Sequence, residues 1–488
     1  MSLRDLSADF LFYGVLDFVQ RSVGFLMVPL YTTMLSQAEY GNLDILLIVC
    51  ATAMVVVDLQ FSAAFSRLYL EYQRTGEGKR FAGTIIVVRA IGGVTIAAAV
   101  MLAGALGYVE WGFVPSFRNN TVAWGLVGVL VPLSLVFDVQ LIQSRMLRRK
   151  RPFAVGTLGG TLISVVASVV FVAVWHWGMP GVIAGLVVGK AVGAALLTWA
   201  LRDETALLID RRVLRPLLQY SLPLIPGWWI GFAGGYLGRF FVYGIEGADQ
   251  NALLAVSMKI AGLIGLFSIS FRSAWQPLAM AYIGDAGGER FYVRSLRLFM
   301  AGAFLTALLL AVFLHPLMSI MVPEQYGSVE VYFPLFAVAV LIGECESNLQ
   351  LGNQIAKRTL WISISSVVYL LVNVVVLSAL TASLGVVAAG LALALASLAK
   401  GAVTFASAQM HWRIPYDIRA MAIFAAGCAA FLALGYAFTV PGISHSVLRG
   451  GVVTLAIGVP WLMLNTEDRQ ALAQAVRLVR SRILAATG

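Results

Sequence analysis

Gly181-Val-Ile-Ala-Gly-Leu-Val-Val-Gly-Lys-Ala-Val-Gly-Ala-Ala-Leu-Leu-Thr-Trp-Ala200 is the stretch from which the fold is read. It carries a single charge, Lys190. As a helix rising about 1.5 Å per residue, a run of this length crosses about 30 Å of hydrocarbon. A helix on the surface of a water-soluble domain would instead show one polar face.

Comparable runs recur along all 488 residues. Predicted helices fall at 10–33, 42–66, 82–107, 122–145, 153–175, 181–200, 218–243, 250–272, 296–321, 330–352, 359–380, 385–408, 418–439 and 447–465. Sixty per cent of the chain is apolar and 12% charged, and the mean hydropathy is +0.87. A soluble domain has about twice that charge. The fold class is therefore all-α and polytopic, with about fourteen transmembrane helices. Met1 to Phe10 carries Arg4, Asp5 and Asp9 and leads into a long apolar run without an Ala-x-Ala-like cleavage site, so the first helix is expected to be retained.

The loops set the orientation. Every second one is basic: Arg67, Arg74, Lys79 and Arg80; Arg145 and Arg148 to Arg151; Arg202, Arg211, Arg212 and Arg215; Arg290, Arg294 and Arg297; Lys357 and Arg358; Arg413 and Arg419. Arg118 is the main exception among the intervening loops, which otherwise hold residues such as Glu39, Glu246, Asp249 and Glu324. The positive-inside rule places both termini in the cytoplasm. It also accounts for the net charge of +10 without nucleic acid.

The halves echo one another at an offset of 204 to 210 residues. Gly181-Val-Ile-Ala-Gly185 opens helix six and Gly385-Val-Val-Ala-Ala-Gly390 opens helix twelve, with Lys190 and Lys400 inside them. Six helices separate equivalent points, so the repeats share one orientation. The expected division is an N-terminal lobe, 1–208, a C-terminal lobe, 209–412, two appended helices, 413–466, and a tail, 467–488. In the tail, Leu472, Ala475, Val476, Val479 and Ile483 share one helical face and Arg469, Arg477, Arg480 and Arg482 fall mostly elsewhere, the pattern of a cytoplasmic interfacial helix.

Several phrases carry a family resemblance. Gly24-Phe-Leu-Met-Val-Pro-Leu-Tyr31 followed by Ala38-Glu39-Tyr40-Gly41, Ser66-Arg67-Leu-Tyr69-Leu-Glu71, and Leu217 to Pro226 resemble the first, second and seventh helices of polysaccharide exporters. Lys259, Trp275-x-Pro277 and Asn373 fall where similar members place such residues. The chain thus resembles the flippases for lipid-linked oligosaccharide or exopolysaccharide units in the multidrug, oligosaccharidyl-lipid and polysaccharide (MOP) exporter superfamily. The resemblance implies a lipid-linked glycan as cargo, no cofactor, a bacterial inner membrane and a polysaccharide polymerase as partner, with H+, Na+ or the membrane potential as the alternative energy sources. A cation-coupled multidrug exporter of the same superfamily is the nearest alternative.

Charged side chains at membrane depth are costly, about 2.5–3.5 kcal/mol each on insertion scales, and so mark pairs or cavities. Asp17 and Arg21 stand four residues apart on one helix face, either as a neutral pair or with Arg21 presented to an anionic headgroup and Asp17 to a coupling ion. Arg239, among Gly231, Gly234, Gly235 and Gly238, either meets substrate or snorkels. Lys259 either meets a pyrophosphate or pairs with an acid. Glu344, Glu346, Asn348 and Gln350 make helix ten polar, as a hydrated route or as partners for Lys400 or Lys190. Arg89 and Asp138 read as interfacial, with Asp58 similar but deeper. The stripe Gly181, Gly185, Gly189, Gly193 reads as close helix packing.

His176, His315, His411 and His445 lack metal-ligand spacing, Cys50, Cys345 and Cys428 sit inside predicted spans, and there is no phosphate-binding Gly-x-x-x-x-Gly-Lys-Ser/Thr loop. The short external loops gather no catalytic carboxylates, against a membrane polymerase or glycosyltransferase. The expectation is a transporter with no catalytic residues and no metal.

Overall fold

The computed structural model describes residues 12, 16, 19–20, 22–108, 112–283, 285, 287–356, 358, 360–437 and 445–470. Among them there is helix and no strand. In chain order the helices are α1 (Val28–Met34), α2 (Gln37–Asp58), α3 (Phe61–Arg74), α4 (Gly78–Ala105), α5 (Thr121–Met146) and α6 (Lys150–Val174). Then come α7 (Gly178–Ala200), α8 (Arg211–Ser221), α9 (Ile225–Glu246), α10 (Ala248–Ala261), α11 (Leu263–Ala281), α12 (Gly288–Val312) and α13 (Leu314–Met321). The last are α14 (Val329–Leu349), α15 (Leu351–Ile355), α16 (Leu360–Leu384), α17 (Val386–His411), α18 (Ile418–Ala437) and α19 (His445–Met463).

Ten described helices are long and apolar enough to cross a membrane, the span Ala248–Ser273 joining α10 to the start of α11. The other predicted positions are taken by α9, rich in glycine; α14, with Glu330, Glu344 and Glu346; and the shorter apolar stretches Ser22–Met34 and Gly450–Met463. The protein is a polytopic all-α membrane protein.

Predicted spans differ from observed ones where polar residues extend or split a helix. The span predicted at 42–66 starts earlier, at a capping box in which the Glu39 amide donates to Ser36 Oγ (3.2 Å) and the Ser36 amide donates to Glu39 Oε2 (3.0 Å). It ends at Leu59 and Gln60, whose φ values of 44° and 61° break the helix without glycine or proline. The span predicted at 296–321 begins at Gly288, because the basic residues read as a loop lie on its first turns. Before α9, a 3₁₀ turn at Leu222–Leu224 relieves the helix around Pro223 and Pro226.

The chain forms two compact units, Met1–Ala255 with Met321–Pro323, and Val256–Ile320 with Glu324–Gly488. In the first, α7 packs against α6 and α5, and α5 against α4 and α2. A Cβ on Gly185 would overlap Ser168, and one on Gly189 would come 2.5 Å from the Gly160 carbonyl oxygen, so the stripe serves backbone-close packing on α6. In the second, α17 packs against α16 and α14, while α19 lies on α12 and α18, and α18 on α14.

At one end of α12, Arg297 Nε donates to Asp468 Oδ2 (2.7 Å) and its Nη1 to Asp417 Oδ2 (2.9 Å), while Arg294 pairs with Asp468 at 2.8 Å. Asp468 is 1% exposed. The chain just after α19 is thereby tied to α12. The amphipathic stretch assigned to the tail lies, beyond residue 470, outside the described residues.

Candidate functional site

The functional candidates are the charges that the helices carry within or beside the predicted spans. In the first unit, Arg239 on α9 donates from Nη1 to Asp44 Oδ1 on α2, 3.0 Å away. Asn251 of α10 donates to the Gly41 carbonyl (3.0 Å) and to Asp44 Oδ2 (3.4 Å). Tyr243 donates to Asn42 Oδ1 at 2.7 Å. The turn between α9 and α10 needs Gly247, at φ 89°. Arg239 Cζ stands 5.6 Å from the centre of the Tyr236 ring, and its Nε is buried with no hydrogen-bond acceptor.

Two further pairs neutralise charge in this unit. Arg89 is buried and reaches Asp58 at 3.0 Å, with Ser62 bonded to both. The carboxylate of α2 lets it lie inside the protein. Lys190 of α7 meets Asp138 of α5 at 3.5 Å and sits over the Phe137 ring, 4.2 Å from its centre.

In the second unit both acids of α14 are engaged. Glu344 pairs with Arg272 of α11 at 2.9 Å. Glu346, 2% exposed, takes Lys400 Nζ at 3.0 Å and accepts from Thr404 Oγ1 and Gln350 Nε2, each at 2.8 Å. Asn348 donates to the Glu344 carbonyl at 3.1 Å, confirming that those two residues share a helix face. Lys259 lies half-buried in the last turn of α10, beside the break at Gly262.

Among the predicted site residues, the structure therefore brings Glu344 and Asn348 together on α14 and places Arg239 and Lys259 separately. Asp17 and Arg21 lie outside the described residues. Sequence reasoning missed Asp44 and Arg272, which lie near the ends of predicted helices, where charge is ordinary. Outside the spans, Asp417 has its carboxyl shifted from the ordinary range. Burial opposes its charge, but the Ala420 amide and the Arg297 guanidinium outweigh that and hold its carboxyl below the usual carboxylate range. Cys50, Cys345 and Cys428 are buried and free. Among the described residues no group of three or more His, Cys, Asp or Glu is placed to hold a metal ion.

A family model described as polysaccharide biosynthesis protein matches residues 6–281. No curated protein matches the sequence significantly. Among solved structures, lipid II flippase MurJ in an inward closed conformation aligns with a TM-score of 0.70 at 13% identity, over 95% of this chain and 99% of that one. A multidrug resistance MATE family transporter of the MOP superfamily, inward-facing, gives 0.66 at 12% identity, over 80% and 94%. A MOP superfamily transporter from Pyrococcus furiosus, whose binding pocket is described as reversed in polarity, gives 0.56 at 12% identity, over 82% and 95%. At these identities the shared property is the fold.

Proposed function

We infer that this chain, which belongs to the polysaccharide biosynthesis protein family, is a flippase for polyprenyl-pyrophosphate-linked oligosaccharide or exopolysaccharide units. It acts by alternating access in the cytoplasmic membrane of a bacterium, with both termini inside. Residues 1–208 and 209–412 are its two lobes, 413–466 an appended pair and 467–488 the cytoplasmic tail.

The observation that supports this reading most is Arg239, a guanidinium of α9 held by Asp44 and left with a buried N–H that has no acceptor. A planar donor set of this kind suits phosphate oxygens. Carrying a diphosphate through low dielectric needs such cations, and Arg21 and Lys259 are assigned the same task. Glu344 and Asn348 line the hydrated route of the sugars. Asp17 takes the coupling H+ or Na+. A polysaccharide polymerase is the partner that consumes the delivered unit, and the chain itself is a transporter rather than an enzyme.

The test is surface polysaccharide in cells carrying Arg21→Ala, Arg239→Ala or Lys259→Ala at normal membrane abundance. Each is expected to abolish the polymer. Normal polymer in all three would overturn the assignment, and loss of drug resistance with intact polymer would point to a multidrug exporter instead.

A further inference from the structure

One face of α9 has a use beyond Arg239. Trp228 and Phe232 lie parallel, ring centres 5.7 Å apart at 12°, and Phe232 and Tyr236 follow at 4.8 Å. Tyr236 carries the ladder to Arg239. At 3.6 residues per turn, residues 228, 232, 236, 239 and 243 fall within about a quarter of the helix circumference.

That face does not look into lipid at its far end, because Arg239 and Tyr243 bond there to Asp44 and Asn42 of α2. A lipid-facing surface would not carry a guanidinium. Beside the ladder the space is open. A Cβ added to Gly231 or Gly235, which flank the rings on the same side, would meet nothing within 4 Å. Trp228 is 46% exposed. The surface is thus apolar, aromatic and unoccupied, and it runs continuously to a cation.

We propose that Trp228, Phe232 and Tyr236 form a saccharide-binding track, on which the sugar rings of the cargo lie while its diphosphate engages Arg239. The weakly positive C–H faces of a pyranose are attracted to the negative faces of aromatic rings by the same quadrupole that attracts cations. Such contact tolerates different sugars, because it reads ring faces rather than hydroxyl positions. This inference rests on the flippase reading above.

The experiment uses the full chain in lipid nanodiscs and calorimetric titration with two probes, a polyprenyl diphosphate and the same lipid bearing an N-acetylglucosamine disaccharide. The wild type is expected to bind the glycosylated probe about tenfold more tightly than the bare one. In Trp228→Leu, and further in Trp228→Leu with Phe232→Leu, that ratio falls toward one. Trp229→Leu, a neighbouring tryptophan 39% exposed and off the ladder, keeps it. Arg239→Gln weakens both probes. A ratio unchanged by Trp228→Leu and by the double substitution, or a wild-type ratio of one, overturns the track alone. A wild type that binds neither probe overturns the flippase reading with it.

Discussion

The lysine of α7 and the lysine of α17 occupy echoing places in the sequence and meet different fates. Glu346 stands 208 residues after Asp138, and Lys400 stands 210 after Lys190. In each unit the lysine pairs with an acid on the helix that its own helix packs against, α5 in one and α14 in the other. The repeat therefore extends from sequence phrases to an ion pair. Yet the pair in the first unit is loose, 3.5 Å, with Asp138 37% exposed, while the second is closed at 3.0 Å with Glu346 2% exposed. One element has become an accessible charge pair and its counterpart a sealed polar joint between two helices.

Removing the acids separates these roles. Glu346→Ala leaves Lys400, Thr404 and Gln350 without the oxygen they share. Breaking a buried pair from one side costs about 3–5 kcal/mol. Asp138→Ala frees a half-exposed lysine that already leans on Phe137, and the loss should stay below about 1 kcal/mol. Thermal unfolding of the detergent-solubilised protein checks the contrast. Equal losses would mean that the two pairs are not differently sealed.

The echo was legible in sequence because it lies in residue types that hydrophobic spans rarely contain. Lys190, Lys400 and Glu346 stand out in the sequence as charges inside predicted spans, and helix ten offers Glu346 as a partner for Lys400 or Lys190. No local pattern announces that Asp58, thirty-one residues before Arg89, turns toward it. Arg272 and Asp44 escaped notice because a charge near a predicted helix end needs no special explanation. The helix break at Leu59 and Gln60 carries no glycine or proline, so a backbone conformation set by packing had no signal to read. The aromatic ladder of α9 lies in a run dominated by its glycines and Arg239; the spacing of Trp228, Phe232 and Tyr236 puts them on one face, and side-chain geometry adds that neighbouring rings stand 5.7 and 4.8 Å apart.

Packing differs between the two lysine helices as well. α7 meets α6 backbone to backbone through its glycines, whereas α17 joins α14 and α15 through side chains, with Asn353 donating to Ser407 Oγ at 2.8 Å. Gly189→Val should therefore force α6 and α7 apart, since its Cβ alone crowds Ser164 and the Gly160 carbonyl. Overpacking of this kind costs about 1–3 kcal/mol. Ala399→Val, at the echoing position of α17 and half-buried, should cost less. Melting temperatures of the two variants test it, and a greater loss at Ala399 would contradict the contrast.

The smallest effect lies at the margin of the second unit, where Asp417 and Asp468 share Arg297. The Asp417 carboxyl is held below its ordinary range by the Ala420 amide and Arg297 against the effect of burial. A carboxylate with a depressed folded pKa contributes stability that is present above its unfolded pKa, about 3.9, and is lost as pH falls through the folded value. The melting temperature should therefore decline below about pH 4, and Asp417→Asn should flatten that decline while lowering the neutral-pH stability by less than about 1 kcal/mol. Asp468→Asn should cost more at neutral pH, because Asp468 is 1% exposed and faces two guanidiniums, Arg294 and Arg297. If both substitutions acted alike, the second unit would hold its terminal segment by net charge alone. A larger loss at Asp468 would locate the hold in that one buried carboxylate, as the sealing of Glu346 locates the joint between α14 and α17.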